Sequence, residues 1–213
     1  MVFWIGILAA AACAWFALRM GFYETWATLF NVLIAIYLAV FLTPVIAEAV
    51  PAAGDTPLGN ALTLAAVAIG AFLVLHVFTY TFLTGQFSVA FPKIFDNLGS
   101  GVLGFLGGFL IWSFLALVIS VTPVSQNSTA QSIGLGPKIQ QTTGPYLSWW
   151  CDRVNGAAAP AGSRRPTQET IARLLQEAAK KAAEKTDPNA PAKPADSNSK
   201  PRFPLRRRQI EDF

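Results

Sequence analysis

Hydrophobic and polar positions divide the 213-residue chain into two unlike halves. Up to Val121, four apolar stretches alternate with short polar breaks; beyond Thr122 no comparable stretch occurs. The stretches are Val2 to Leu18, Trp26 to Ile46, Ala61 to Leu83 and Gly101 to Val121. Each approaches the ~20 residues that carry a helix across a bilayer core, the first being at the short limit. The second is the clearest. Its Leu, Ile, Val and Phe residues contribute about −4 to −7 kcal/mol on insertion scales, and Pro44 falls in its last turn, where a missing N–H is accommodated or a kink forms. Val2 to Leu18 has no basic leader and no small-residue cleavage site, and three further spans follow, so it reads as a retained span. Glu48 to Asn60 and Gly85 to Phe95 read as connections. The pattern predicts an all-α integral membrane protein: a four-helix membrane domain over 1–125, then a largely disordered polar tail over 126–213 with one short helix.

The fourth span opens unusually. Asp96 and Asn97 precede Ser100, Gly104 and Gly108 at four-residue spacing, with Gly99, Gly101 and Gly107 between them. Interior glycines cost a soluble helix about 0.5–1 kcal/mol each against Ala. In a bilayer, small residues at i, i+4 and i+8 share one face and let a second backbone come close. The spacing therefore predicts a packing face, used either inside one subunit or between two.

Composition sharpens the division. Hydrophobic residues make up 53% of the chain and charged residues 13%, against about 25% charged in soluble domains. Before Thr122 the charged residues are Arg19, Lys93, Glu24, Glu48, Asp55 and Asp96; the other fourteen basic residues lie in the tail. Within the tail, Tyr146, Trp149 and Trp150 are expected at the membrane interface, where such side chains concentrate. Thr167 to Lys185 is the predicted helix, with Thr167 as cap and an apolar stripe of Ile171, Leu174, Leu175, Ala178 and Ala182. Gly156 to Pro166 reads as a linker, and Asp187 to Pro201 as disordered, ahead of the basic Arg202 and Arg206 to Arg208. Cys13 and Cys151 read as free thiols, too far apart in character to form a framework. Arg19 and Lys93 share one side of the membrane, and the loop from Glu48 to Asn60 has no basic residue. Short-loop charge thus leans toward both termini lying outside the cytoplasm.

The order of these features resembles the colicin V production (CvpA) family. A short first span, then Arg19 with Gly21 and Phe22, then a second span, is similar to the family's Arg-Gly-Phe motif. Asp96 followed by Ser100, Gly104 and Gly108 matches its aspartate with small residues four, eight and twelve positions on. The resemblance covers about residues 1 to 125. Met20 intervenes between Arg19 and Gly21, and Asn97 and Gly107 stand where the family commonly has arginine. The resemblance implies a small multi-span protein of the bacterial cytoplasmic membrane, associated with toxin production or export and envelope homeostasis.

Candidate chemistry is sparse. Asp96 with Asn97 reads as a helix cap or as a proton- or cation-handling group. His76, beside Thr79 and Tyr80, is a functional candidate by its depth, or a neutral side chain bonded to a neighbouring helix. Asn31 is the lone strongly polar side chain of the second span and is expected to face another helix. Arg19 is explained by snorkelling, and a pairing with Asp96 is geometrically open. No phosphate loop, metal spacing or catalytic constellation is present, so no enzyme activity, cofactor, metal or nucleic-acid partner is expected. The expected partners are the lipid bilayer, an unidentified membrane or envelope protein, and a second copy of the chain. The functional expectation is an accessory or scaffold factor, with an oligomeric transporter or channel component as the alternative.

Overall fold

The computed structural model describes residues 2–49, 57–84, 92–122, 138–158 and 166–186. Six α-helices occupy them: α1 Val2–Met20, α2 Phe22–Ala49, α3 Pro57–Thr79, α4 Lys93–Val121, α5 Lys138–Ala158 and α6 Thr167–Thr186. A π-helical turn, Tyr80–Thr84, continues α3. No strand occurs among the described residues, and α1, the whole of α2, most of α3 with its π-turn, and α4 are each long and apolar enough to cross a membrane. The all-α membrane architecture is thus as expected. The sequence-predicted disordered segment 187–201 and the arginines at 202 and 206–208 lie outside the described residues.

Element limits differ from the pattern in one instructive place. The helix of the fourth span begins at Lys93, eight residues ahead of the apolar run, because Pro92 supplies a pre-set φ of −56° just before it. Asp96 and Asn97 therefore lie in its first turns and not in a loop ahead of it. Pro44 sits inside α2, which runs on to Ala49; the Thr43 hydroxyl bonds back to the Ala39 carbonyl at 2.6 Å in the same turn.

Chain neighbours are not all spatial neighbours. Only Gly21 separates α1 from α2, yet α1 packs chiefly on α4, which stands between them and also contacts α2. Spans adjacent in sequence thus pack side by side for α2 with α3 but not for α1 with α2. The reason is steric: the glycine face of α4 admits a closer approach than α2 can offer. Helices α1 and α4 run antiparallel, and the ends carrying Arg19 and Lys93 meet at one end of the bundle.

The core sits where α2, α3 and α4 converge, around Leu33, Ile36, Val40, Leu64, Leu110 and Leu117. Two helices of the polar half complete it. Helix α6 is the predicted one, and Ile171, Leu174 and Ala178 of its stripe are buried, with Leu175 half-buried. Its cap differs from expectation. Thr167 is the first helical residue, and both its amide (3.2 Å) and its hydroxyl donate to Asp152 Oδ1 of α5. Helix α5 was not legible in advance, because Gly144 and Pro145 interrupt a polar stretch. It buries Leu147 and Cys151 against the core. Its aromatics pack on the bundle: the Tyr146 hydroxyl donates to the Leu106 carbonyl, midway along α4, at 3.0 Å. Trp149 alone stays exposed, under the Arg153 guanidinium 5.0 Å from its ring centroid.

Burial pushes the Cys151 thiol up from 9.0 to about 12, and the Asp152 charge adds to this. A raised thiol value favours the protonated form in the folded state. Its stabilising effect is full below pH 9.0 and fades as pH rises toward about 12. The expected result is that Cys151 resists maleimide at pH 8 in the folded protein and reacts once the chain is unfolded in denaturant. Labelling of Cys151 as fast before unfolding as after it would show that α5 does not pack on the bundle.

Candidate functional site

Two arrangements in the membrane domain bring polar chemistry into an apolar setting. The first joins the turn between α1 and α2 to the start of α4. Gly21 makes that turn with φ +88°, a left-handed conformation that L side chains rarely adopt. The turn exposes the first amide of α2, and Phe22 N–H donates to Asp96 Oδ1 at 2.7 Å. Asp96 is therefore a cap, as one of the two expectations had it, but for a different helix from its own. The carboxylate of α4 satisfies the N-terminus of α2 and complements its dipole. A Cβ on Gly21 would lie 3.4 Å from Asp96 Oδ1, an ordinary contact, so it is the turn's φ and not the carboxylate that calls for glycine.

The Phe22 ring secures the same joint. It covers Gly99, where a Cβ would lie 2.5 Å from the ring, and its centroid is 5.3 Å from that of Phe95. Thr25, one turn on, donates to the Gly21 carbonyl at 2.7 Å. Arg19 does not pair with Asp96. Its guanidinium lies 5.2 Å from the Trp15 ring centroid, on the exposed side of α1. Ser100 is fully buried and donates to the Asn97 carbonyl at 3.1 Å.

From this joint the small residues continue as a ladder. A Cβ on Gly104 would fall 3.0 Å from Ala14 Cα, and one on Gly108 would fall 2.8 Å from Ala10 Cα. Those are backbone atoms, which cannot swing aside. The glycine face is thus occupied by Ala10, Cys13, Ala14 and Ala17 of the same chain, which answers where the face is used.

The second arrangement is a cleft of about 210 Å³ between α2 and α3 into which polar side chains are gathered, among them Glu24, Thr28, Asn31, His76, Thr79 and Tyr80. Thr79 donates to Asn31 Oδ1 at 3.0 Å, so Asn31 faces another helix as expected. The residue is only 3% exposed, and its Nδ2 has no partner. His76 is exposed at the rim and stacks on Phe72, with centroids 5.5 Å apart. Sequence alone separates His76 from every carboxylate by more than two turns; the fold brings Glu24 of α2 into the same cleft. The π-turn begins at Tyr80, within the lining; such distortions are common at functional sites. Met20, Thr28 and His76 also line a larger, mostly apolar cleft of about 580 Å³ that reaches Cys13, Gly104 and Gly108. Among the described residues no group of three His, Cys, Asp or Glu side chains gathers as a metal site.

The family model described as Colicin V production protein matches residues 4–143. This chain belongs to the colicin V production protein family. No curated protein and no solved structure matches it. The matched region holds both arrangements, and every motif residue carried over by resemblance takes part in the joint or the ladder except Arg19. It stops inside α5, so α6 lies beyond the shared domain. Sequence reasoning missed Phe22 as the capped residue and Glu24 and Thr28 as cleft residues. The i, i+4, i+7 spacing of Glu24, Thr28 and Asn31 was the available signal, since it puts three polar side chains on one face of α2.

Replacing Asp96 with Ala is expected to destabilise the membrane domain by about 1–2 kcal/mol, with D96N costing less because an acceptor oxygen remains. Gly104→Val is expected to cost about 1–3 kcal/mol by overpacking against α1. Equilibrium unfolding of bilayer-reconstituted protein reads both. A D96A variant as stable as the parent would mean that the inter-helix cap carries no weight.

Proposed function

We propose that this family member is a scaffold or accessory factor of the bacterial cytoplasmic membrane, serving toxin production or export and envelope homeostasis without catalysing a reaction. Membership of the family supports the toxin-related setting. The observation that carries the scaffold reading is the covered glycine face. Backbone atoms of α1 stand within 3.0 Å of where Cβ atoms on Gly104 and Gly108 would be, so that face has no room for a second subunit. A pore assembled along it, the main support for the channel alternative, lacks its interface.

The distribution of polar side chains agrees. Asn31, His76 and Thr79 gather at the Arg19 end of the bundle, whereas the far half is filled by Leu33, Ile36, Val40, Leu110 and Leu117. Of the polar side chains buried in that half, Thr43 and Ser113 bond back to carbonyls of their own helices. A platform needs a surface away from the membrane domain, and α6 supplies one. Its apolar stripe is spent on the bundle, so partner contact falls to its outward side, where Gln176 and Lys180 are exposed. The partner in this reading is another membrane or envelope protein. Self-association, if part of the function, uses the exposed apolar sides of α1 or α3. The basic residues Arg19 and Lys93 at one end favour cytoplasmic placement of that end and extracytoplasmic placement of both termini.

A strain lacking the protein is expected to secrete less of a colicin V-type peptide toxin and to regain secretion on complementation. A photo-crosslinking residue at Gln176 or Lys180 should give adducts with a different membrane protein in cells, and proteoliposomes should pass ions no faster than empty vesicles. Unchanged secretion in the null strain defeats the toxin-related reading. Ion flux above the empty-vesicle level would favour the channel.

A further inference from the structure

The two adjoining clefts make one amphipathic groove, and its dimensions and donors specify what it takes. The geometry points to a bound phospholipid with an ammonium headgroup, one acyl chain in the apolar cleft and an ester carbonyl on Asn31. Four observations carry this. The apolar cleft, about 580 Å³, lies within the range of about 300–1,000 Å³ typical of small-molecule sites. Its walls are Phe16, Leu29, Val32, Phe72, Leu103 and Ile111, a lining suited to a hydrocarbon chain and to nothing charged.

Second, Asn31 Nδ2 is buried at the polar end with no partner. An unpaired buried donor costs about 1–3 kcal/mol, and hydrocarbon offers no water to relieve it. An ester carbonyl at the head of an acyl chain is an acceptor that a bilayer supplies. Third, Glu24 stands seven residues before Asn31 on the same face of α2, roughly 10 Å toward the end of the bundle. That rise matches the run of bonds from a glycerol ester to an ethanolamine nitrogen. Glu24 is exposed and has no ion pair among the described residues, so its carboxylate is available to an ammonium group and repels an anionic head. Fourth, the polar and apolar compartments share Met20, Thr28 and His76, which makes the passage between them continuous.

The test uses the full chain in vesicles of phosphatidylethanolamine and phosphatidylglycerol with a trace of either lipid carrying a diazirine in its acyl chain. Irradiation and peptide mapping locate the adducts. The phosphatidylethanolamine probe is expected to label the groove residues Leu29, Phe72 and Leu103 above the outward-facing Leu73 and Val77, and to exceed the phosphatidylglycerol probe there. Asn31→Leu should lower groove labelling about three- to tenfold, the worth of one buried hydrogen bond, and leave Leu73 and Val77 unchanged. Glu24→Gln should erase the difference between the two probes. Thr28→Phe fills the passage without removing the donor and should also abolish groove labelling, which guards against an N31L variant that fails to fold. Wild-type labelling spread evenly over groove and outer faces, or groove labelling untouched by both N31L and T28F, overturns the proposal. Equal labelling by the two probes in the wild type does so too.

Discussion

The amide of Phe22 is the point on which the membrane domain turns. A helix that starts one residue after its predecessor leaves its first N–H groups facing the joint, where the packed start of α4 half-buries them. Asp96 meets that need from another helix at 2.7 Å. The consequence is positional as well as energetic. A carboxylate in its own helix's loop would fix one element, whereas this one fixes the end of α1, the start of α2 and the start of α4 together. With those ends held, the ladder of Gly104 and Gly108 against Ala10 and Ala14 is in register without further specification. The left-handed Gly21 and the bare Cα of Gly99 are both conditions of the same contact, one for the turn and one for the Phe22 ring.

The polar half repeats the device. Asp152 of α5 receives the amide and hydroxyl of Thr167, and so α6 too begins on a carboxylate borrowed from a neighbour. Here the surroundings are less apolar, and burial of Leu147, Cys151, Ile171 and Leu174 does the holding. An exposed pair between Arg173 and Glu48, 3.3 Å apart, links α6 to the end of α2 and adds at most a few tenths of a kcal/mol up to about 1. The last two helices are thus a continuation of the bundle's packing and not an appendage to it.

Much of this was legible in the chain, for a physical reason: spans and close-packing faces are written in local periodicity. The four apolar runs, the glycine face and the stripe of α6 all repeat at helical spacing within one segment. What local pattern cannot carry is the identity of the opposite surface. Asp96 was recognisable as a cap but not as a cap for Phe22, seventy-four positions away. His76 looked isolated from carboxylates because Glu24 reaches it only through the α2–α3 packing. Helix α5 was hidden by Gly144 and Pro145, whose local preferences are overridden once Leu147 and Cys151 have a core to enter.

Both ends of the bundle are organised around α2, and they divide its length. Its middle is covered: Ile36, Ala39 and Val40 pack into the core with α3, α4 and the α5–α6 pair, and Tyr37 reaches Asn155 at 3.3 Å, while a cleft of about 330 Å³ separates its last turns from α6. Its first half is open, with Thr28 and Asn31 lining clefts that none of the described helices fills. The opening follows from the glycine ladder itself. Because Gly104 and Gly108 carry no side chains, α1 comes close on one flank, and the space beside the contact, toward Leu29 and Phe72, stays unfilled. The feature that locks the domain together is therefore also the one that leaves it a groove.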